Sequence, residues 1–181
     1  TTNSARKRIM KRHASPISAA LLLTVGLLVL STSTALADAK VYQADALCRG
    51  PLVPDLSTGA LINISSINAV SVYCGIPRDR TDAKPTAVQV TVVDNSSLLI
   101  GDGNFNCFLT PISRAGVAGT PAGSVGTSGT NSAGVTLTVP IPAVVSVDGT
   151  LTLKCRIPRR GSLDPSSRLT LIKIVEADPT N

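Results

Sequence analysis

The chain contains no tryptophan and only four aromatic residues, Tyr42, Tyr73, Phe105 and Phe108, in 181 positions. A core without large rings must be filled by branched aliphatics, and a ring platform for stacking sugars or bases has few candidates. Histidine occurs once, as His13. Beyond that position the commonest general base and metal ligand is missing, and with it the Ser-His and Cys-His nucleophile pairs. Gly-x-Ser-x-Gly, Walker-type and dinucleotide glycine loops are also absent. The longest apolar run, from Ile17 to Leu30, has about 14 residues against the ~20 that span a bilayer.

Acidic residues are missing from the first part of the chain. All 11 acids fall at or after Asp38, whereas five of the 17 Lys and Arg precede residue 13. The net charge of +6 is therefore a property of the leader, and from Asp38 onward 12 cations face 11 acids. That balance excludes bulk attraction to nucleic acid or to an anionic membrane.

The leader itself reads as a secretory signal over residues 1–37: Arg6, Lys7, Arg8, Lys11 and Arg12, the apolar run, then Ala35-Leu36-Ala37 at the cleavage position. The expected cut follows Ala37, with Ala39 as second choice, and Met10 is a plausible true start because it is the only methionine. A secreted protein, extracellular or periplasmic, is expected, with no stable membrane anchor after cleavage. Residues 38–181 then form one domain of ordinary size.

What the chain does have is a repeated strand. Val70-Ser71-Val72-Tyr73-Cys74-Gly75-Ile76-Pro77-Arg78 is echoed by Leu151-Thr152-Leu153-Lys154-Cys155-Arg156-Ile157-Pro158-Arg159, and both copies end in Cys-x-Ile-Pro-Arg. The apolar residues and the cysteine share one parity in each copy, so period-two geometry points both sulfurs into the core. Proline has no N–H for a ladder and marks the end of pairing. Four cysteines in an exported chain read as two disulfides with three possible connectivities. Cys48 with Cys74 and Cys107 with Cys155 is the favoured set, since each bridge stays within one half of the chain and each half closes on its own copy.

Other stretches alternate too. Lys40 to Ala46 reads as a short edge strand, Gly59 to Ile64 as a strand, and Thr86 to Asp94 as the cleanest strand, with Val88, Val90 and Val92 on one face. Phe105 to Leu109 and Val135 to Val139 follow the same rule. Residues 144–147, Asp148-Gly149 and Leu151 to Ile157 suggest a hairpin with a type I′ turn. The Gly, Ala, Ser and Thr tract from Gly116 to Gly134 reads as a long excursion or an edge hairpin. In the last strand, Ser167 to Glu176, the apolar parity shifts near Leu171 as a bulge would require. Seven to eight short strands without helical periodicity beyond the signal-peptide helix predict an all-β, antiparallel β-sandwich of Ig-like or jelly-roll type, with a closed barrel as alternative. The echoed pentapeptide favours two related sheets.

The succession from Asn63-x-Ser65 through Val72-Tyr73-Cys74, Arg78-Asp79, Val92-Val93-Asp94, Asn106-Cys107, the glycine tract and Leu153-Lys154-Cys155-Arg156-Ile157-Pro158 resembles a group of uncharacterised secreted bacterial proteins with four cysteines. In that group Pro and Arg-Asp usually follow the second cysteine directly, whereas here Gly75-Ile76-Pro77 intervenes. The resemblance covers roughly residues 45 to 176 and implies the fold, with no activity attached.

Candidate chemistry is sparse. With the cysteines bridged, no thiolate is left for catalysis or zinc, and no cofactor is read from the sequence. Asp79, Asp82, Asp94, Asp102, Asp164 and Glu176 are the carboxylates from which a small extracellular hydrolase would draw its pair. Asp94-Asn95 and Asp102-Gly103-Asn104 are each too short to be a calcium loop, so no metal site is expected. The repeated polar feature is arginine after the proline: Arg78 and Arg80 in the first copy, Arg159 and Arg160 in the second. Were both strands to end at one pole, these four would form an anion-binding rim. The expectation is a non-catalytic β-sandwich with an anionic or glycan ligand, and the alternative is the carboxylate hydrolase.

Overall fold

The computed structural model describes residues 38–78, 85–97, 103–143, 145, 149–161 and 163–177. In chain order these form β1 (Asp38–Gln43), a helical turn (Ala44–Leu47), β2 (Cys48–Arg49), β3 (Val53–Asp55), β4 (Ala60–Ile62), β5 (Val70–Ile76), β6 (Pro85–Asp94), β7 (Asn106–Ile112), β8 (Ser124–Gly126), β9 (Asn131–Val139), β10 (Thr150–Ile157) and β11 (Arg168–Glu176). The strands of six residues or more are β1, β5, β6, β7, β9, β10 and β11, against an expectation of seven to eight. Of the shorter ones β4 falls within the strand expected over Gly59 to Ile64, while β2, β3 and β8 escape period-two reading because two or three residues show no alternation. The helical turn truncates the edge strand expected over Lys40 to Ala46.

All pairings are antiparallel and fall into two sheets. The six-stranded sheet runs β3-β4-β11-β6-β9, with β1 sharing the β4 edge of β11, and the five-stranded sheet runs β2-β5-β10-β7-β8. From β4 onward the chain passes from sheet to sheet at every step but the β7–β8 pair. The resulting orders β4-β11-β6-β9 and β5-β10-β7-β8 are those of a jelly roll. This order decides between the two sandwich types. It also corrects the expectation of two related sheets, because the echoed strands β5 and β10 are direct neighbours in one sheet, Cys74 lying opposite Leu153 and Cys155 opposite Val72. β5 and β7 pair with the two sides of β10, whereas the sequence predicts a hairpin of β10 with residues 144–147. Apart from Val145, those residues lie outside the described ones.

One aliphatic core lies between the sheets. Val88, Val90 and Val92 of β6, Leu137 and Val139 of β9, and Leu169, Ile172 and Ile174 of β11 face Val72, Ile76, Leu109, Leu151, Leu153 and Ile157 of the other sheet. Phe105 is the one ring buried to 1% exposure. The parity shift in β11 is a register irregularity between Leu169 and Leu171 against β6, and it restores Ile172 and Ile174 to the inner face.

Cys48 is bonded to Cys74 and Cys107 to Cys155, as favoured from sequence. In each bridge the two half-cystines are register partners on adjacent strands, so both bonds lie within the five-stranded sheet. The glycine tract crosses between sheets: β8 edges one and β9 edges the other.

Candidate functional site

The carboxylates do not assemble into a pair. Asp94, at the end of β6, is fully buried and serves as a knot between the sheets. Its Oδ1 accepts from Ser96 N–H at 3.1 Å and Ser167 Oγ at 3.2 Å, and its Oδ2 accepts from Phe105 N–H at 3.4 Å and from the Thr127 hydroxyl. A buried carboxylate needs such donors, and these come from the segments that flank strands of both sheets: Ser96 after β6, Phe105 before β7, Thr127 after β8 and Ser167 before β11. Glu176 lies at the far end, since β11 and β6 run antiparallel with Arg168 opposite Val93 and Glu176 opposite Pro85. Asp164 accepts from the backbone N–H and hydroxyl of Ser97, which lower its pKa. Asp79, Asp82 and Asp102 lie outside the described residues. Among the described residues no cluster of three or more His, Cys, Asp or Glu would hold a metal ion, and no helix is long and apolar enough to cross a membrane.

A second knot stands at the same pole. Asn63, only 1% exposed, donates from Nδ2 to the carbonyls of Asn68 (3.1 Å), Ile157 (3.1 Å) and Pro158 (3.0 Å), and its Oδ1 accepts from Ser65 N–H. It thereby ties the end of β4 to the end of β10 in the other sheet.

The arginine rim is not formed. Leu151 lies opposite Ile76 and Ile157 opposite Val70, so the two Pro-Arg exits leave from opposite ends of the β5–β10 pair, roughly 20 Å apart at strand rise. Arg78 Nη1 donates to the carbonyl of Gly149 at 3.0 Å, just before β10. Arg159 and Arg160 follow the other end, where Arg160 N–H donates to Ser65 O at 2.8 Å. Arg80 lies outside the described residues. The physical reason is direct: echoed strands that pair antiparallel with one another must send their matching ends apart.

The structure instead assembles a surface on the outer face of the five-stranded sheet. Tyr73, Lys154 and Phe108 are register partners across β5, β10 and β7, with Arg49 of β2 opposite Tyr73. Lys154 Nζ stands 5.4 Å from the Tyr73 ring centre and 5.7 Å from that of Phe108, so the ammonium is held between two ring quadrupoles. Tyr73 is 51% exposed. The next row towards the Asn63 pole is Ser71, Arg156 and Asn106, and the row on the other side is Gly75, Thr152 and Thr110. A side chain at Gly75 would meet nothing within 4 Å, which leaves the face open beside Tyr73. These strand positions carry three cations and no acid. Arg49 also lines a hollow of about 320 Å³ with Asp45, Leu52 and Leu56, and Asp45 is the acid on that side.

The outer face of the six-stranded sheet is different in kind. Thr91 and Thr136 share a hydrogen bond at 3.3 Å, Gln89 reaches Thr138 at 3.5 Å, and Thr170 donates to Thr91 O at 2.8 Å. These threonines and Gln89 bond to one another or to the backbone, and no ring lies among them. A groove of about 560 Å³ beside Pro111, Pro121 and Ile141 is lined by small and apolar residues without a charged group.

Sequence reasoning missed the aromatic row although its signal was present. Tyr73 precedes Cys74, Phe108 follows Cys107 and Lys154 precedes Cys155. If the cysteines point inward, strict alternation turns each of these neighbours outward. The pairing of β10 with both β5 and β7 puts the three in one line.

No protein-family model and no curated protein matches the chain. Similar solved structures include a low-affinity xylan-binding module from Roseburia intestinalis, at 17% identity and a TM-score of 0.47 over 76% of this chain and 94% of that one. Another is the family 11 carbohydrate-binding module of Clostridium thermocellum, at 11% identity and a TM-score of 0.42 over 82% and 94%. A third is the C-terminal family 22 carbohydrate-binding module of Clostridium thermocellum Xyn10B, at 14% identity and a TM-score of 0.36 over 77% and 94%. The chain is similar to these in outline, and its own jelly-roll architecture rests on the strand pairing given above.

Proposed function

We propose that this is an exported, non-catalytic glycan-binding domain whose ligand lies across the outer face of the five-stranded sheet. The observation that carries the reading is the line Tyr73, Lys154 and Phe108. A chain with four aromatics buries one in its core and spends two on a solvent-facing row, flanked by hydroxyl, amide and guanidinium groups. Ring faces accept the C–H surface of a pyranose, and the surrounding Ser71, Asn106, Thr110 and Thr152 supply donors and acceptors for its hydroxyls. Strands about 4.8 Å apart give a flat site broad enough for a short run of sugar units. Turnover has no support on this face, because its strand positions hold neither acid nor histidine.

The test is a polysaccharide panel run by affinity electrophoresis and calorimetry on the purified domain, together with Tyr73→Ala and Phe108→Ala. Binding by the wild type, lost in the variants while the circular-dichroism spectrum and melting temperature stay close to wild type, is the expected result. Retained binding in both variants, or release of reducing ends by the wild type, would overturn the reading.

A further inference from the structure

The charge on this face points to a narrower ligand class, and the inference rests on the glycan-binding reading above. We propose that the ligand is an acidic polysaccharide, its carboxylates or sulfates met by Lys154 and Arg156 while its sugar rings lie over Tyr73 and Phe108.

Three observations converge. First, the outward positions of β2, β5, β10, β7 and β8 include Arg49, Lys154 and Arg156 and not one Asp or Glu, although from Asp38 onward the chain has nearly equal numbers of both signs. Charge of one sign at these strand positions, with Asp45 as the acid beside Arg49 at the β2 edge, favours a counter-charged ligand at the centre of the face. Second, Lys154 occupies the centre of the face rather than its rim. Its two cross-strand partners are rings, so its ammonium has cation–π contacts and no carboxylate from its register partners. Third, Arg156 follows two positions along the same strand and lies between Ser71 and Asn106. Two cations are thus consecutive outward residues about 7 Å apart on one strand, a spacing suited to acid groups carried at intervals on a polymer. The rings distinguish this from simple polyanion attraction, since they add a contact that depends on the sugar face and survives salt.

The experiment compares polygalacturonate with the same polymer after carboxyl reduction, at about 20 mM and about 150 mM salt. It uses the wild type, Lys154→Gln and Tyr73→Ala, each checked for an unchanged melting temperature. Dextran sulfate serves as the sulfated arm, and single-stranded DNA as the polyanion without pyranose rings. The expected result is that the acidic polymers bind and the reduced one binds at least about tenfold more weakly. Lys154→Gln should remove most of that difference, and Tyr73→Ala should weaken all glycan binding. If the reduced polymer binds as well as the acidic one, the acidic assignment is overturned while the glycan reading stands. If no polymer of any kind binds, both fall. If DNA binds as tightly as polygalacturonate and Tyr73→Ala changes neither, the face is a general polyanion surface and the assignment is likewise overturned.

Discussion

Replacing Asp94 by Asn tests whether the sheets are tied by a charged knot or merely packed. The substitution keeps the shape and exchanges one acceptor oxygen for an NH₂ donor. If the nitrogen takes the Oδ1 site, it faces Ser96 N–H, which cannot turn away. If it takes the Oδ2 site, Phe105 N–H still has the Thr127 hydroxyl at 3.0 Å, and that hydroxyl rotates to accept. The second orientation is therefore the cheaper. It loses the charge-assisted bond from Thr127 and makes the others neutral, for a total of about 2 kcal/mol. Asp94→Ala leaves Ser96 N–H and two hydroxyls without their acceptor and opens a cavity, so about 3–5 kcal/mol is expected. For a domain of this size the Asn variant should melt roughly 5–10 °C lower. Urea unfolding followed by far-ultraviolet circular dichroism measures both, and Thr127→Val closes a double-mutant cycle with an expected coupling above about 0.5 kcal/mol. An Asn variant within about 0.5 kcal/mol of wild type, or a coupling of zero, would show that the network does not hold the sheets together.

The disulfides are expected to stabilise by roughly 3.5 kcal/mol for the 26-residue separation and about 4 kcal/mol for the 48-residue one, so Cys107→Ala with Cys155→Ala should lower the urea midpoint somewhat more than Cys48→Ala with Cys74→Ala. The reverse order by a wide margin would mean that native geometry outweighs loop entropy. Asp55 has its pKa lowered from 3.8 to about 2 by the hydroxyls of Ser57 and Thr58 and the Ser57 N–H. A depressed carboxylate contributes stability that is present above pH 4 and is lost as pH falls towards 2. Asp55→Asn should thus flatten the acid limb of the stability curve, and an unchanged limb between pH 4 and pH 2 would refute the assignment.

How far the sequence could be read depended on whether the signal was local. The inward parity of Cys74 and Cys155, the strand over Thr86 to Asp94 and the bulge near Leu171 follow from alternation alone, and the structure agrees, with β6 starting one residue earlier. The cysteine pairing followed from keeping each bridge within its own half of the chain, and the register bears it out. What failed needed knowledge of neighbours. The Pro-Arg exits look equivalent in sequence, but antiparallel pairing of β5 with β10 separates Arg78 from Arg159. Tyr73, Lys154 and Phe108 are up to 81 positions apart and become a site only through the jelly-roll order. Asp94 reads as a turn residue and Asn63 as one residue of a strand, because nothing in a sequence shows that a polar side chain is buried.

The placement of the covalent links has a mechanical consequence. Asp38 and Glu176 are register partners at one end of the β1–β11 ladder, and neither disulfide touches the six-stranded sheet. A pull applied between these two residues loads their pair first and opens the ladder rung by rung, which is a zipper and a weak geometry. Tension that has peeled away β1 and β11 then meets the two bridges, which keep residues 48–74 and 107–155 out of the stretched length. Under load the domain should give way early at its ends and stop short of full extension, leaving β2 with β5 and β7 with β10 cross-linked through Cys48–Cys74 and Cys107–Cys155.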